Sequence, residues 1–495
     1  MKILMVSPQS PDTFWSFKYA LKFVRKKSAF PPLGLLTVAS LLPKDWEIKL
    51  VDMNTSRLKD KYILWADYVF IGAMHIQMDS ANIVIDKCLK LGRKTVVGGP
   101  LFTMNPELFT DRVDHFVLNE AELTLPEFIK DLNDGTLKKT YTNEAFADIR
   151  TTPIPRWDLV DLDKYASISI QYSRGCPFEC DFCNVTALFG RIMRNKTPKM
   201  IIDELNNIYD KGYRGAIFFV DDNFIGQIKA LKNDLLPELK KWRESHKGLT
   251  FFTEVSINIA DDSELLKMME QSGFNQVFIG IETPNNDSHT ESNKKQNKNR
   301  DLIGDIKKIQ RAGIQVQAGF ILGFDADTED IFKRQIDFIQ ESGITTAMIG
   351  LLQAVPGTKL YTRMKNADRL INATTSGDNA SGNTNIYPTC MDLATLENGY
   401  RHVVSHLYKP KNYYKRVKIF LRSYKNSTVK EHMTFNKFRA FFKSMYVLGI
   451  IGRERYYYWN LLLWTLLKRP SSFSLAVNLS ILGFHFRRVS AKNKI

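Results

Sequence analysis

Three cysteines carry the strongest chemical signal in the chain. In the segment SRGCPFECDFCNV, Cys176, Cys180 and Cys183 are separated by three and then two residues, directly after a strand-like run. A tight loop there can point three thiolates at one metal centre. A structural zinc ion takes four protein ligands, most often Cys with His. Here the fourth is missing: none of the eight histidines lies within about 60 residues of the trio, and Cys88 and Cys390 are remote as well. A fold that brought one of them back would leave zinc open, but three thiolates and a free position better fit a four-iron four-sulfur cluster whose fourth iron takes an outside ligand. The N-terminus, MKILMVSPQS, carries no apolar leader, which predicts a cytoplasmic protein. In a reducing compartment such clustering favours metal over disulfide.

A loop of this kind needs rigid elements to hold it. Residues 2–7, 46–52, 67–73 and 95–97 read as strands, and 33–42, 83–91 and 121–132 carry helical spacing. That alternation predicts an α/β fold with a doubly wound, Rossmann-like domain over residues 1–135, its ligands beyond the carboxyl ends of the strands. Residues 136–165, polar and punctuated by Pro153 and Pro155, read as a linker. A second series over 166–365 has strands at 167–171, 215–220, 250–257, 276–281, 315–322 and 346–352, with helices at 201–211, 262–272, 302–312 and 330–342. Six such units predict a partial (β/α)6 barrel, short of the ~250 residues of a closed eightfold one. Residues 366–495 form a basic, aromatic-rich and mainly helical region, which opens with a connection at 371–387 that its Ser, Thr, Asn and Gly content predicts to be flexible.

The whole chain has 495 residues, 44% of them hydrophobic, which excludes disorder, collagen and a disulfide scaffold. Its net charge of +16 resides at one end: from Arg401 onward there are 20 Lys and Arg against two acids, Glu431 and Glu454, and the first 400 residues are nearly neutral. Eighteen aromatic residues are interleaved with those cations. Such a surface suits an interfacial helix or RNA. The segment RERYYYWNLLLWTLLKR, apolar between cationic ends, favours peripheral membrane or lipid contact over nucleic acid. A plain helical subdomain covering the barrel mouth is the alternative. No window reaches the ~20 apolar residues of a membrane span; the closest, 456–467, is interrupted by Asn460.

CPFECDFC at the start of a βα series resembles the radical S-adenosylmethionine superfamily. There the three cysteines hold a 4Fe-4S cluster and the open iron binds S-adenosylmethionine, whose reductive cleavage gives a 5′-deoxyadenosyl radical. The resemblance implies binding roles for Phe182, for Asp221, Asp222 and Asn223 of FFVDDNF, for Glu254 and Ser256 of FFTEVSINI, for Glu282 of FIGIETP and for Gly319 of GFILGF. The family's Gly-Gly-Glu-like segment is replaced by Asp-Asp-Asn here, and a buried Glu could equally cap a helix.

A parallel α/β domain before such a barrel is similar to the cobalamin-binding domain of the family's cobalamin-dependent branch. PPLGLLTVASLLP, VVGGPLFT and NEAELTLPEF carry that likeness, which implies cobalamin contacts at His75, Gly98, Gly99 and Glu120. No Asp-x-His-x-x-Gly sequence is present, so cobalamin is expected without histidine ligation; His75 could equally be an ordinary polar residue. No Gly-x-Gly-x-x-Gly follows the first strand, which weighs against a nucleotide site. Within the branch, DTFWSF, VDDNFIG, GIETP and LLQAVPGTKL are similar to the group containing the hopanoid C-2 methylase.

The expectation is therefore a cobalamin-dependent radical enzyme, a C-methyltransferase acting on an unactivated carbon of a hydrophobic, lipid or isoprenoid-like substrate. Its electrons would come from a reductant protein such as flavodoxin or ferredoxin. Cyclisation, rearrangement or carbon–carbon coupling without methyl transfer is the rival enzyme reading, and a non-turning-over cofactor sensor the rival from another class.

Overall fold

Two parallel six-stranded sheets organise the chain. The computed structural model describes residues 1–375, 377–378, 380–427 and 435–492; Glu431 and residues 376 and 379 of the 371–387 stretch lie outside the described residues. In the first sheet β1 (Lys2–Ser7), β2 (Glu47–Asp52), β3 (Tyr68–Gly72), β4 (Lys94–Gly98), β5 (His115–Val117) and β6 (Thr140–Tyr141) stand in the order 2-1-3-4-5-6. The direction of winding reverses between β1 and β3, where a crevice forms beyond the strand ends. Two strands are additional to those read from sequence, β5 and β6, being too short to show alternation; β6 falls within the stretch read as a linker.

The second sheet runs in chain order. Strands β7 (Ser167–Ile170), β10 (Ala216–Phe219), β11 (Thr250–Val255), β12 (Phe274–Glu282), β13 (Gln315–Leu322) and β14 (Ala347–Leu351) pair successively in parallel, an open six-unit barrel as expected. A separate small hairpin, β8 (Ser173–Arg174) with β9 (Arg194–Asn195), brackets the cysteine loop. Local chemistry sets the helices between the strands. Thr197 caps the Pro198–Asp210 helix by accepting from the Met200 amide (3.3 Å), with Pro198 at its first position. Asp262 caps Ser263–Ser272 (2.9 Å to the Leu265 amide), and Gly273 ends it at φ 111°.

Every other residue of the barrel strands faces the lumen. On that face Phe218 stacks on Phe252 (4.7 Å), Phe30 packs against Phe218 (5.3 Å), and Trp15 meets Phe278 edge-on (5.4 Å). Trp15 and Phe30 come from an N-terminal excursion that leaves the first sheet, so the 1–135 stretch does not pack as a unit. Phe14 also stacks on Phe486 (4.3 Å), and the His485 ring bonds the Phe14 carbonyl (3.0 Å). One continuous hydrophobic core accordingly joins this excursion, the barrel and the C-terminal helices, while the first sheet has cores of its own.

The C-terminal helices are Leu393–Tyr408, Pro410–Ser423, Phe435–Ser444 with a π-helical turn Met445–Ile451, Arg455–Lys468 and Phe473–Lys492. The first of them begins at the carboxyl side, where Leu396 packs against Gly323 just after β13 and Tyr400 donates to the Ala380 carbonyl (2.7 Å), and contacts at the amino ends follow: Tyr408 donates to the carbonyl of Ala347, which begins β14 (2.6 Å), and Tyr424 to that of Gly313, just before β13 (3.2 Å). The described part of 371–387 is a laid-down strap. Thr384 donates to Leu352 (2.6 Å), the Asn385 amide brackets the backbone of Ala354 (2.8 and 2.9 Å), and Gln353 reaches the Asn383 carbonyl (3.1 Å). The same polar side chains that suggested flexibility satisfy backbone groups here.

Candidate cluster and cofactor site

The cysteine loop leaves the carboxyl end of β7 and is fixed by backbone bonds on both sides. Gly175 takes φ 94°, and a Cβ there would meet the Ile192 carbonyl at 2.8 Å, so the turn into Cys176 requires glycine. The Cys176 amide donates to Gly190 (3.3 Å), that of Cys183 to Cys180 (3.1 Å) and that of Asp181 to Ser292 (3.1 Å), while Asn293 holds the Glu179 carbonyl (2.8 Å). All three thiols are free and half-buried. Among the described residues no three His, Cys, Asp or Glu side chains converge closely enough for a single ion. Three thiols on one loop, with Cys88 and Cys390 elsewhere, are the donor set that the larger cluster takes.

Burial raises the pKa of all three thiols, that of Cys183 to about 12, so thiolates form here only beside added positive charge. The Lys294 ammonium lies within electrostatic reach of each of them and over the Phe182 ring (5.8 Å). Desolvation alone would lower the Lys294 pKa; its ion pair with Glu282 (2.6 Å) outweighs that and holds it protonated. Glu282 ends β12 at φ 65°, a left-handed backbone in a non-glycine residue, next to a register shift against β13. Gly280 makes room for the pair, since a Cβ there would lie 2.7 Å from the Lys294 ammonium. Sequence reading missed Lys294 because NKKQNKN looks like a solvated polar loop.

At the neighbouring strand ends the expected residues divide. Burial lifts the Glu254 pKa to about 8, helped by the charges of Asp222 and Asp221, and that of Asp222 to about 6. Asp221 is fully buried and turned away from the mouth: its carboxylate accepts from the Tyr172 amide (3.2 Å) and from the amide and hydroxyl of Ser173, and it fixes the backbone leading into the cysteine loop. Asn223 ties strand ends together by accepting from the Ser256 amide and hydroxyl (3.2 Å each). A cleft of about 490 Å³ opens there, between Phe178, Asn223, Gly226 and Asn258. Gly319 faces Phe278, whose ring would lie 3.0 Å from an added Cβ, and Phe182 packs against Phe324 (6.1 Å).

The residues expected to touch cobalamin each have partners within the chain. His75 has both ring nitrogens engaged, Nε2 with the Thr375 carbonyl (2.7 Å) and Nδ1 with the Asn105 amide (3.3 Å), so it has no lone pair free for a metal. Gly98 and Gly99 are required by backbone crowding: a Cβ on Gly98 would meet the Val117 carbonyl at 2.7 Å, and Gly99, at φ 91°, faces the Ala73 carbonyl at 3.0 Å. Glu120 forms a bidentate pair with Arg194 (2.7 Å to each nitrogen) and accepts from the Ala147 amide (2.5 Å). Beside it Glu122 pairs with Arg174 (2.7 Å); burial would raise its pKa, but the guanidinium outweighs that and holds the carboxyl below its usual range. These pairs clamp the first sheet to the β8–β9 hairpin, and Arg174 lies two residues before Cys176. Cys390, bonded to the Asp325 carbonyl (3.2 Å), stays apart from the trio.

Residues 170–339 match the radical SAM superfamily model, and residues 358–494 match a domain of unknown function (DUF4070). An uncharacterized methyltransferase of Synechocystis sp. is 37% identical over 98% of this chain and 91% of its own length. The hopanoid C-2 methylase of Rhodopseudomonas palustris is 36% identical over 75% of this chain and 71% of its own. Among solved structures, the cobalamin-dependent S-adenosylmethionine radical enzyme OxsB, with aqua-cobalamin and S-adenosylmethionine bound, superposes with a TM-score of 0.64 at 14% identity, covering 99% of this chain and 79% of that one. The radical S-adenosylmethionine methyltransferase TsrM of Kitasatospora setae, with cobalamin and a 4Fe-4S cluster bound, gives 0.61 at 15% identity over 98% and 99%. At those identities the likeness is one of fold, and it spans both sheets and the C-terminal helices. With its cysteine loop at the carboxyl end of the first barrel strand and its likeness to these two relatives over 98% and 75% of its length, the chain belongs to the radical S-adenosylmethionine superfamily, in the group that includes the hopanoid C-2 methylase.

Proposed function

We propose that the protein is a cobalamin-dependent radical S-adenosylmethionine C-methyltransferase acting on an unactivated carbon of a hydrophobic, lipid or isoprenoid-like substrate. The observation that carries this reading is the desolvated cysteine trio at the barrel's carboxyl end, clamped to a parallel sheet that reverses its winding at β1 and β3. When bound, the cluster supplies the electron that cleaves S-adenosylmethionine and cobalamin supplies a transferable methyl group. Cys176, Cys180 and Cys183 hold the cluster, and Lys294, kept charged by Glu282, offsets their negative charge. Asp222, Glu254, Ser256 and Gly319 border the space for S-adenosylmethionine, Phe182 packs behind the loop, and Asp221 and Asn223 position the strand ends. The engagement of both His75 ring nitrogens supports a first sheet that would hold cobalamin without that histidine. We take residues 1–135, less the 14–30 excursion, as its domain, 136–165 as the connection carrying β6, 166–365 as the barrel and 366–495 as the helical region.

Support for a hydrophobic substrate comes from two exposed apolar side chains beside the cysteine loop, Ile192 (81% exposed) and Phe146. An external reductant protein of the flavodoxin or ferredoxin class would feed the cluster. The test is anaerobic: reconstituted protein with cobalamin, S-adenosylmethionine, reductant and a membrane-lipid extract, with 5′-deoxyadenosine and S-adenosylhomocysteine quantified together. Both rising in step with lipid supports methyl transfer; 5′-deoxyadenosine alone gives the case to rearrangement or coupling.

A further inference from the structure

We propose that the hairpin formed by the Phe435–Ser444 helix, the Met445–Ile451 turn and the Arg455–Lys468 helix is a docking surface for an anionic lipid bilayer. Its first arm exposes Phe438, Phe442, Tyr446 and Ile450, four residues apart each time and so along one side of a helix, with Ile451 at the tip. Its second arm exposes Tyr456, Leu463, Leu466 and Leu467, again on one side, and Leu467 keeps 79% of its surface. These nine are nearly half of the large apolar side chains exposed among the described residues, gathered in 30 positions. Scattered exposed leucines need no account, but a gathered set marks an interaction site.

The opposite sides of both arms bind the body of the protein. Tyr458, Leu461, Leu462 and Thr465 are buried, the hydroxyls of Tyr458 and Ser444 bond each other (2.8 Å), and Trp459 donates to Gly449 (3.0 Å). The two apolar stripes therefore face outward together. Exposed cations flank them: Arg453 and Arg455 at the tip, Lys468 at the far end, and Lys415 and Arg422 on the adjoining helix. Lys418 and Arg422 sit over the Trp464 ring (5.5 and 5.7 Å). Glu454, the one acid described from Arg401 onward, is buried against Arg487. An apolar stripe with aromatic edges and a cationic rim complements negatively charged headgroups over acyl chains. No helix of the described residues is long and apolar enough to cross a membrane, so this surface lies in the interface plane.

The hairpin packs on the 18–24 and 473–492 helices and not at the barrel mouth, so it tethers the enzyme without lining its active site. Its purpose rests on the lipid-substrate reading; its existence does not. The full chain is floated with extruded vesicles of phosphatidylglycerol and phosphatidylethanolamine, and with phosphatidylcholine vesicles as the neutral control. Binding is expected to the anionic vesicles, to weaken with salt, and to fall about tenfold or more in the Leu463→Asp/Leu467→Asp variant. Arg453→Glu/Arg455→Glu should lose the preference for anionic vesicles. All four positions are exposed, and an unchanged thermal midpoint confirms folding. Failure of the wild type to float, or equal flotation of the Asp variant, overturns the proposal. So does a dimer, seen by light scattering, that Leu463→Asp/Leu467→Asp dissociates without any vesicle binding. Flotation without methyl transfer from the lipid assay would instead overturn the substrate reading and leave the surface standing.

Discussion

Arg194→Leu tests whether the first sheet is held to the cysteine loop through Glu120. The Glu120 side chain keeps 4% of its surface and that of Arg194 15%. Removing the guanidinium leaves a buried carboxylate with only the Ala147 amide and a longer contact to Arg174 (3.7 Å) as partners, and it also frees the Ala147 and Phe189 carbonyls. Breaking a buried pair from one side costs about 3–5 kcal/mol; the partial exposure of Arg194 argues for the lower end, about 3 kcal/mol. Glu120→Gln in the same chain removes the stranded charge and keeps an acceptor for the amide. The double variant should therefore recover about 2 kcal/mol, a coupling of the size found within one hydrogen-bonded network. Urea unfolding of the cluster-free protein, followed by circular dichroism and tryptophan fluorescence, measures the four corners of this cycle as midpoint shifts at constant slope. A wild-type midpoint for Arg194→Leu, or strict additivity of the two substitutions, would refute the clamp.

Changing any one of Cys176, Cys180 or Cys183 to Ser should abolish bound iron and sulfide, the cluster's visible absorption and reductive S-adenosylmethionine cleavage; a variant that still made 5′-deoxyadenosine would contradict the cluster assignment. Gly280→Ala puts a methyl group 2.7 Å from the Lys294 ammonium. It should cost about 1–3 kcal/mol in thermal or urea unfolding, as overpacking does, and an unperturbed midpoint would count against the observed pair geometry. Glu254 has a folded pKa near 8 against an ordinary 4.5, so between those values the folded state holds the proton more tightly and stability falls as pH rises. Glu254→Gln should flatten that decline and stabilise the cluster-free protein by roughly 2–4 kcal/mol at pH 9, with little effect at pH 4. Parallel midpoint-versus-pH curves for the two proteins would dispose of this account.

The barrel and the cysteine loop were legible because their signals are local. Six apolar runs spaced by amphipathic helices and three thiols in eight residues need no tertiary information. The site's electrostatic partners were not. Lys294 lies 111 residues beyond Cys183, in a run of polar residues whose burial depends on packing against Glu282. His75 looked available at a strand end, but its second nitrogen is engaged by Thr375, 300 residues away. Gly98 and Gly99 suggested room for a flat cofactor, and strand-to-strand crowding also requires them. Asp221 and Asp222 are neighbours of the same type in sequence, and only the turn after β10 separates a carboxylate that braces the loop from one without that role.

Strand pleating decides where chemistry can occur in the barrel. The lumen-facing series runs from Phe218 to Asp222, from Phe252 to Glu254 and from Phe278 to Gly280, and the register sets Phe278 beside Glu254, so aromatic and acidic side chains share the lumen at that level. Phe30 and Trp15 enter the lumen from the N-terminal excursion, and the excursion is itself stacked against Phe486 of the last helix. The C-terminal region therefore seals the barrel from its amino end by holding those two plugs in place. Removing the last helix should then loosen Trp15 and open the lumen from below, with quenching of Trp15 fluorescence by acrylamide as the readout.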